Sequence, residues 1–236
     1  MARLCEPRGS TDLLQVAESG QSNDGGPVAT SRNVAAVVPF RDVLGAKSRL
    51  SPALNASARA ELAIAMLADT VTTLQGAGVD VLVAAGTFRA ARVAAQLEVP
   101  AIVDAQSRGL RQAVDEVISS LDGDIAVVMP DLPLLRSEDV HSLLASDTEI
   151  TVAPTSDRGT GAILMAEAVR FGTCFGPRSA EAHVREAASR GLSTSVIRRY
   201  GWSLDVDTPA DLERAIELNS FAPFTRKVVV QWLTHL

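Results

Sequence analysis

From Val34 onward the chain alternates short apolar runs with longer segments whose apolar residues recur at helical spacing, and that pattern leaves little choice but a sheet packed between helices. Val34–Val38, Val79–Ala84, Ala101–Asp104, Ile125–Met129 and Glu149–Ala153 read as buried strands, because a strand with one wet face would alternate apolar with polar residues. Between them the spacing predicts helices. Asn55 caps one that runs to about Leu74, with Leu67, Val71 and Leu74 on one face, and Gly76-Ala77-Gly78 ends it. Further helices cover Thr87–Leu97, Gly109–Leu121 and Ser137–Ala145. Strands separated by helices imply parallel pairing with right-handed crossovers. After Ala153 the alternation loosens: Ala162–Ala166 reads as a strand, Ser179–Arg190 as a helix, Thr194–Ile197 as a strand and Thr208–Leu218 as a helix. The expected fold is α/β, a three-layer sandwich around a mostly parallel sheet with an antiparallel strand in its second half.

Both ends depart from this pattern. Residues 1–32 are rich in Gly, Ser and Asn and read as a disordered extension, while residues 33–220 form the domain. In the tail, residues 221–236, Val228–Leu233 is apolar enough for an extra strand or a docking segment. It could equally pack against a second subunit, which would make a homodimer.

Composition removes several classes of function. The net charge of −6 and the 4% of aromatic residues argue against a nucleic-acid binder, which would be basic and would offer stacking platforms. An acidic chain that takes an anionic substrate must gather positive charge locally or use a metal ion. Cys5 and Cys174 follow no metal-ligand spacing and read as thiols in a reducing cytosol. The N-terminus lacks the apolar core of a signal peptide, and no apolar run approaches the roughly 20 residues that span a bilayer, so the protein reads as cytoplasmic with no membrane partner.

The chemistry concentrates in loops that follow the strands, where open parallel sheets bind their ligands. Pro39–Leu50 carries Arg41, Lys47 and Arg49, which could embrace a triphosphate or could form a solvated basic loop. Asp131 follows a strand directly, as a metal carboxylate or as an ordinary turn aspartate. Asp205-Val206-Asp207-Thr208-Pro209 offers two carboxylates; Asp205 is favoured for a metal, and Asp207 or Thr208 for capping the next helix. Mg²⁺ typically takes one or two carboxylates plus substrate phosphates, which suits Asp131 with Asp205. Gly159-Thr160-Gly161 and Phe175-Gly176-Pro177-Arg178-Ser179 complete the set, the second ending in a residue that can cap a helix or present N–H groups to a phosphate. Arg178 could reach a carboxylate or lie exposed. His141, His183 and His235 lack metal spacing and read as solvated or core-edge residues.

Taken together and in order, VVPFRDVLGAKSRLSP, AMLADTV, MPDLPLL, GTGAILM, FGPRSAEAH and LDVDTPADL resemble the 2-phospho-L-lactate or phosphoenolpyruvate guanylyltransferase family of deazaflavin coenzyme F-420 biosynthesis, over about Val34–Leu218. The resemblance implies a nucleotidyltransferase-like fold and transfer of GMP from GTP to the phosphate of a small phosphorylated three-carbon acid, with Mg²⁺ as cofactor. The acid could be phosphoenolpyruvate, 2-phospho-L-lactate or 3-phosphoglycerate. It implies Asp131 and Asp205 as metal aspartates. Lys47 and Arg49 become catalytic residues that also face the nucleotide with Pro39, Phe40, Gly109 and Leu110. Thr160, Gly161, Ala162, Gly176 and Ser179 fall to the acceptor. A downstream transferase would take the unstable product. The chain departs from the family at Pro130, usually Gly; at Leu110-Arg111, where a Leu-Asn pair is usual; and at Ala162, often Thr or Asn. Two other readings are another nucleotidyltransferase, of molybdenum-cofactor or sugar-phosphate type, and a catalytically silent nucleotide-binding paralogue.

Overall fold

The computed structural model of the protein describes residues 33–103 and 110–234. The expected disorder of residues 1–32, together with Cys5, Asp104, Gly109 and His235, falls outside them.

Seven strands form one sheet: β1 (Val34–Phe40), β2 (Asp80–Ala85), β3 (Ala101–Val103), β4 (Asp124–Val128), β5 (Ile150–Pro154), β6 (Thr160–Met165) and β7 (Thr194–Val196). Their order is β3-β2-β1-β4-β6-β5-β7. All neighbours pair in parallel except β6, which runs against both β4 and β5. The antiparallel strand expected after residue 154 is therefore present, and it begins at Thr160, two residues earlier than its apolar pattern suggested. One reversed strand has a geometric effect that matters below. The carboxyl ends of β1, β4, β5 and β7 share one edge of the sheet with the amino end of β6.

The central strands are largely apolar because both faces are covered, while the edge strands β3 and β7 are only half-buried. Along β1, Ala36, Val38 and Phe40 join a core cluster with α1 (Ala56–Gly76), α2 (Phe88–Gln96) and α4 (Ser137–Leu144). Val37 points the other way, into a second cluster with α3 (Leu110–Ser120) and α5 (Ser179–Ser189). A third cluster seats α6 (Pro209–Leu218) and α7 (Pro223–Leu233) on α1, through Leu62, Met66, Leu212 and Val229. Cutting a buried leucine such as Leu67 to alanine should cost about 2–5 kcal/mol by lost burial and the cavity left behind.

Local chemistry sets the helix starts. The Asn55 side chain accepts from the Ala58 N–H and opens α1, as the sequence predicts, and Thr87 does the same for α2. At α4 the predicted cap is displaced by one residue: Arg136 occupies the capping position and its N–H donates to the Asp139 carboxylate.

Of the extra strand or docking segment expected at Val228–Leu233, the strand is absent: the tail is a helix that packs on α1. Pro223 suits the first helical turn, and Asp69, buried in α1, accepts the Phe224 and Thr225 N–H groups at 2.9 and 2.7 Å. A carboxylate from another element thus satisfies donors that a helix start would leave orphaned, and tertiary packing overrides β-branched propensity. Burial pushes the Asp69 pKa up, against the pull of those donors. Among the described residues, no helix is long and apolar enough to cross a membrane.

Candidate functional site

The loop leaving β1 crosses the shared edge and turns back through Gly45, at φ 77°, and Lys47, at φ 48°. Left-handed backbone is costly for a lysine and persists only where the surroundings hold it. Here they do. The Lys47 ammonium lies 2.6 Å from Asp131 Oδ2, past β4, and 2.7 Å from Asp207 Oδ1, before α6. Its side chain is 12% exposed. Burial alone would lower the Lys47 pKa, but the charges of Asp131 and Asp207 outweigh it and hold the group above its ordinary value. Arg49 hangs at the mouth, 75% exposed and 3.8 Å from Asp207 Oδ2.

These side chains border a cavity of about 690 Å³, whose walls include Pro39, Phe40, Arg41, Gly86 and Thr87. Gly86 is obligatory: its N–H donates to Phe40 O at 3.0 Å, and a Cβ would stand 2.4 Å from Arg41 O. Thr87 both caps α2 and bonds Asp42, which also pairs with Arg89. Sequence reasoning passed over Gly86 and Thr87. The signal was a glycine directly after a buried strand, at the edge where ligands bind.

Asp205 lies beside this cluster. Burial, then the charges of Asp131 and Asp157, push its pKa up to about 7. Asp157 was not anticipated. It organises the β5–β6 turn, accepting from Thr155 Oγ1 and from the Gly159 N–H. Asp131, which already shares Lys47, and Asp157 thus both bear on the half-buried Asp205 carboxylate. The residues present fit Mg²⁺ as a two-carboxylate site; among the described residues no group of three or more His, Cys, Asp or Glu could hold a metal.

Of the two residues offered as the cap of α6, Thr208 is the one, with Asp211 accepting the Thr208 N–H at 2.7 Å, and the Asp207 carboxylate instead faces Lys47 and Arg49. The expectation for Ala162 is corrected: this residue lies inside β6 between Val128 and Ala153, fully buried in the core, and does not face the cavity. Strand alternation turns it inward. Gly161 is tightly enclosed, a Cβ there meeting Trp202 O at 3.2 Å. Gly109 is outside the described residues, and of Leu110 only its place at the start of α3 is described.

In the loop before α5, Gly176 adopts φ 138° and Arg178 φ 57°, so the loop needs a glycine and turns sharply into the helix. The Arg178 guanidinium is taken by Glu181, with Nε 3.0 Å from Oε2. Ser179 does not cap α5. It is 2% exposed, and its hydroxyl lies 2.9 Å from Thr160 Oγ1. His183, expected at a core edge or in solvent, is fully buried: Nδ1 is 3.1 Å from Thr160 Oγ1, Nε2 accepts the Cys174 N–H at 2.8 Å, and Phe175 meets the ring edge-on. Burial pulls its pKa down to about 4. The spacing Ser179–His183, one helical turn, was the available signal.

Comparison with known proteins gives a consistent pattern. The profile of a family described as "Guanylyl transferase CofC like" matches residues 34–219. A 2-phospho-L-lactate guanylyltransferase of Methanothrix thermoacetophila is 35% identical over 190 residues, spanning 77% of this chain and 82% of that protein. A 3-phospho-D-glycerate guanylyltransferase of Phenylobacterium zucineum is 34% identical over 188 residues, 75% of this chain and 86% of that one. Among solved structures, a nucleotidyl transferase from Methanothermobacter thermautotrophicus superposes with a TM-score of 0.58 at 13% identity, covering 82% of this chain and 98% of that one, a likeness of fold.

Proposed function

The chain belongs to the CofC-like guanylyl transferase family, and on that premise we propose that it transfers GMP from GTP to the phosphate of a small phosphorylated three-carbon acid, releasing pyrophosphate. The observation that carries this reading is Lys47, held between Asp131 and Asp207 at the mouth of the 690 Å³ cavity.

An oxygen of the acceptor phosphate attacks the α-phosphorus of GTP. The bond from that phosphorus to the bridging oxygen breaks, pyrophosphate departs with the electron pair, and a new P–O–P anhydride joins GMP to the acid. The acceptor phosphate is already ionised near neutral pH, so the step needs no general base. The difficulty is repulsion between anions, and the chain's own cations answer it. Lys47 and Arg49 lie where the triphosphate would enter, with the ammonium preset by two carboxylates rather than recruited on binding. Pro39, Phe40 and Gly86 shape the wall against which the nucleoside would rest. Asp131 and Asp205 are the residues that would hold Mg²⁺. Bound there, it would screen the two phosphates from each other and align the attack.

The acceptor would lie toward Thr160–Gly161 and the Gly176–Ser179 turn. The product, a diphosphate diester whose P–O–P anhydride remains reactive, would be consumed by a downstream transferase in coenzyme F-420 biosynthesis. With GTP and a phospho-acid as substrates, we take the protein to work in the cytoplasm.

The test is mass spectrometry of GTP incubated with Mg²⁺ and, in turn, phosphoenolpyruvate, 2-phospho-L-lactate and 3-phosphoglycerate. The expected product has the mass of a guanylylated acid, with pyrophosphate in equal amount. No pyrophosphate from any of the three, or use of a hexose phosphate alone, overturns the reading.

A further inference from the structure

The buried groups at the amino end of β6 form a hydrogen-bond chain whose direction can be worked out. The Cys174 N–H can only donate, so His183 Nε2, 2.8 Å away, carries no hydrogen. The ring is fully buried and neutral, so its one hydrogen sits on Nδ1. Nδ1 therefore donates to Thr160 Oγ1 at 3.1 Å. The contact between the Thr160 and Ser179 hydroxyls, 2.9 Å long, is filled by one of their two hydrogens. Head-to-tail ordering, with Thr160 donating to Ser179, lets each bond polarise the next. The Ser179 hydrogen is then left over in a side chain 2% exposed. A buried donor with no taker is costly, and an arriving oxyanion removes that cost. Ser179 is also the first residue of α5, an 11-residue helix whose amino end favours negative charge. The strand that carries Thr160 adjoins the catalytic loop: the Met129 N–H, two residues before Asp131, donates to Gly161 O at 2.8 Å.

We propose that His183 is a positioning residue for the acceptor: acting through Thr160, it orders the hydroxyls so that Ser179 presents its hydrogen to the phosphate or carboxylate of the phospho-acid. The assignment rests on the guanylyl-transfer reading above. His183 also pins the loop bearing Gly176 through the Cys174 N–H, and the two roles can be separated by substitution. In His183→Gln the side-chain amide reaches the Nε2 position and can still accept from Cys174, but the donor to Thr160 is lost. In His183→Asn the amide stands near Nδ1 and can still donate to Thr160.

The experiment measures KM for the best acceptor and for GTP separately in the full chain. Thr160→Val and His183→Gln should each raise the acceptor KM about tenfold, the scale of one well-placed hydrogen bond, at unchanged GTP KM. His183→Asn and Thr160→Ser should recover most of that loss. A wild-type acceptor KM in Thr160→Val overturns the proposal, as does an equal loss in both His183 variants, which would mean loop support alone. Nitrogen-15 NMR of the wild type without substrates supplies a second readout. The Nδ1–H tautomer is expected for His183; the Nε2–H tautomer fells the assignment alone. Failure of the wild type to turn over any of the three acids instead fells the guanylyl-transfer reading, and the acceptor role with it.

Discussion

At the β1–β4 end of the sheet edge, an ammonium is gripped by carboxylates 84 and 160 residues downstream in the chain; at the β6 end, an imidazole and two hydroxyls, all within 23 residues, are joined by neutral hydrogen bonds. The two ends suit different partners. A triphosphate brings several charges, and charged groups already paired can exchange partners as it arrives, at a strength that depends on salt and counter-ions. A small acid must be held in one orientation, and buried neutral donors supply direction with little response to salt. In the proposed reaction, charge would serve attraction and hydrogen-bond order would serve aim.

The largest break in this contrast should come from the charged end. Asp131→Asn and Asp205→Asn keep the side-chain shape and remove a charge, and each is expected to lower kcat by about 10²–10³ while circular dichroism stays native. Near-normal turnover by either folded variant would remove that residue from the mechanism.

The neutral end should show itself in acid. His183 has its pKa lowered from 6.5 to about 4, so below pH 6.5 the unfolded chain binds a proton that the folded chain refuses. Its contribution is therefore fully present above pH 6.5 and is lost as the pH falls from there through about 4, by roughly 3 kcal/mol. Urea melts across that window should show the decline, and His183→Gln should flatten it. An unchanged slope in the variant would mean that other groups dominate.

A smaller effect is expected away from both ends. Asp69→Ala removes the acceptor for two α7 N–H groups and should cost about 1–2 kcal/mol, with faster amide exchange confined largely to α7. The smallest sharpens the charged end itself. Arg49, exposed and only loosely paired, should when changed to alanine raise the GTP KM less than about fivefold, with the difference shrinking in high salt. A larger change than that of Lys47→Ala would reverse the ranking of the two cations.

Much of the scaffold was legible in the sequence because it follows local rules. Apolar runs such as Val34–Val38 admit only a doubly covered strand, and Asn55 and Thr208 sit where caps belong. Lys47 and Asp131 could be named because they lie in loops after β1 and β4, at the edge where ligands bind; Asp205 was read the same way, yet the apolar run before it is no strand but the short helical turn Tyr200–Trp202. What escaped depended on long-range partners. The Val228–Leu233 run carries a strand propensity that Asp69, 155 residues upstream of Phe224, overrides by capping a helix. That Asp207 meets Lys47 could not be read, because the two lie 160 residues apart. His183 seemed ordinary because a lone histidine carries no sign of burial; only the fold brings Thr160 and the Cys174 N–H to its two nitrogens.

The reach of Lys47 has a consequence for how the protein comes into being. Its two clamps, Asp131 and Asp207, follow 84 and 160 positions after Lys47 itself. A chain growing from the ribosome can build the first βα units early, since their contacts are local, yet it cannot assemble the cationic mouth until the segment before α6 has emerged. Nascent or clipped forms ending ahead of Asp207 would thus be structured in part and, for the proposed reaction, idle, and GTP would first find a site ready for it once Asp207 has emerged.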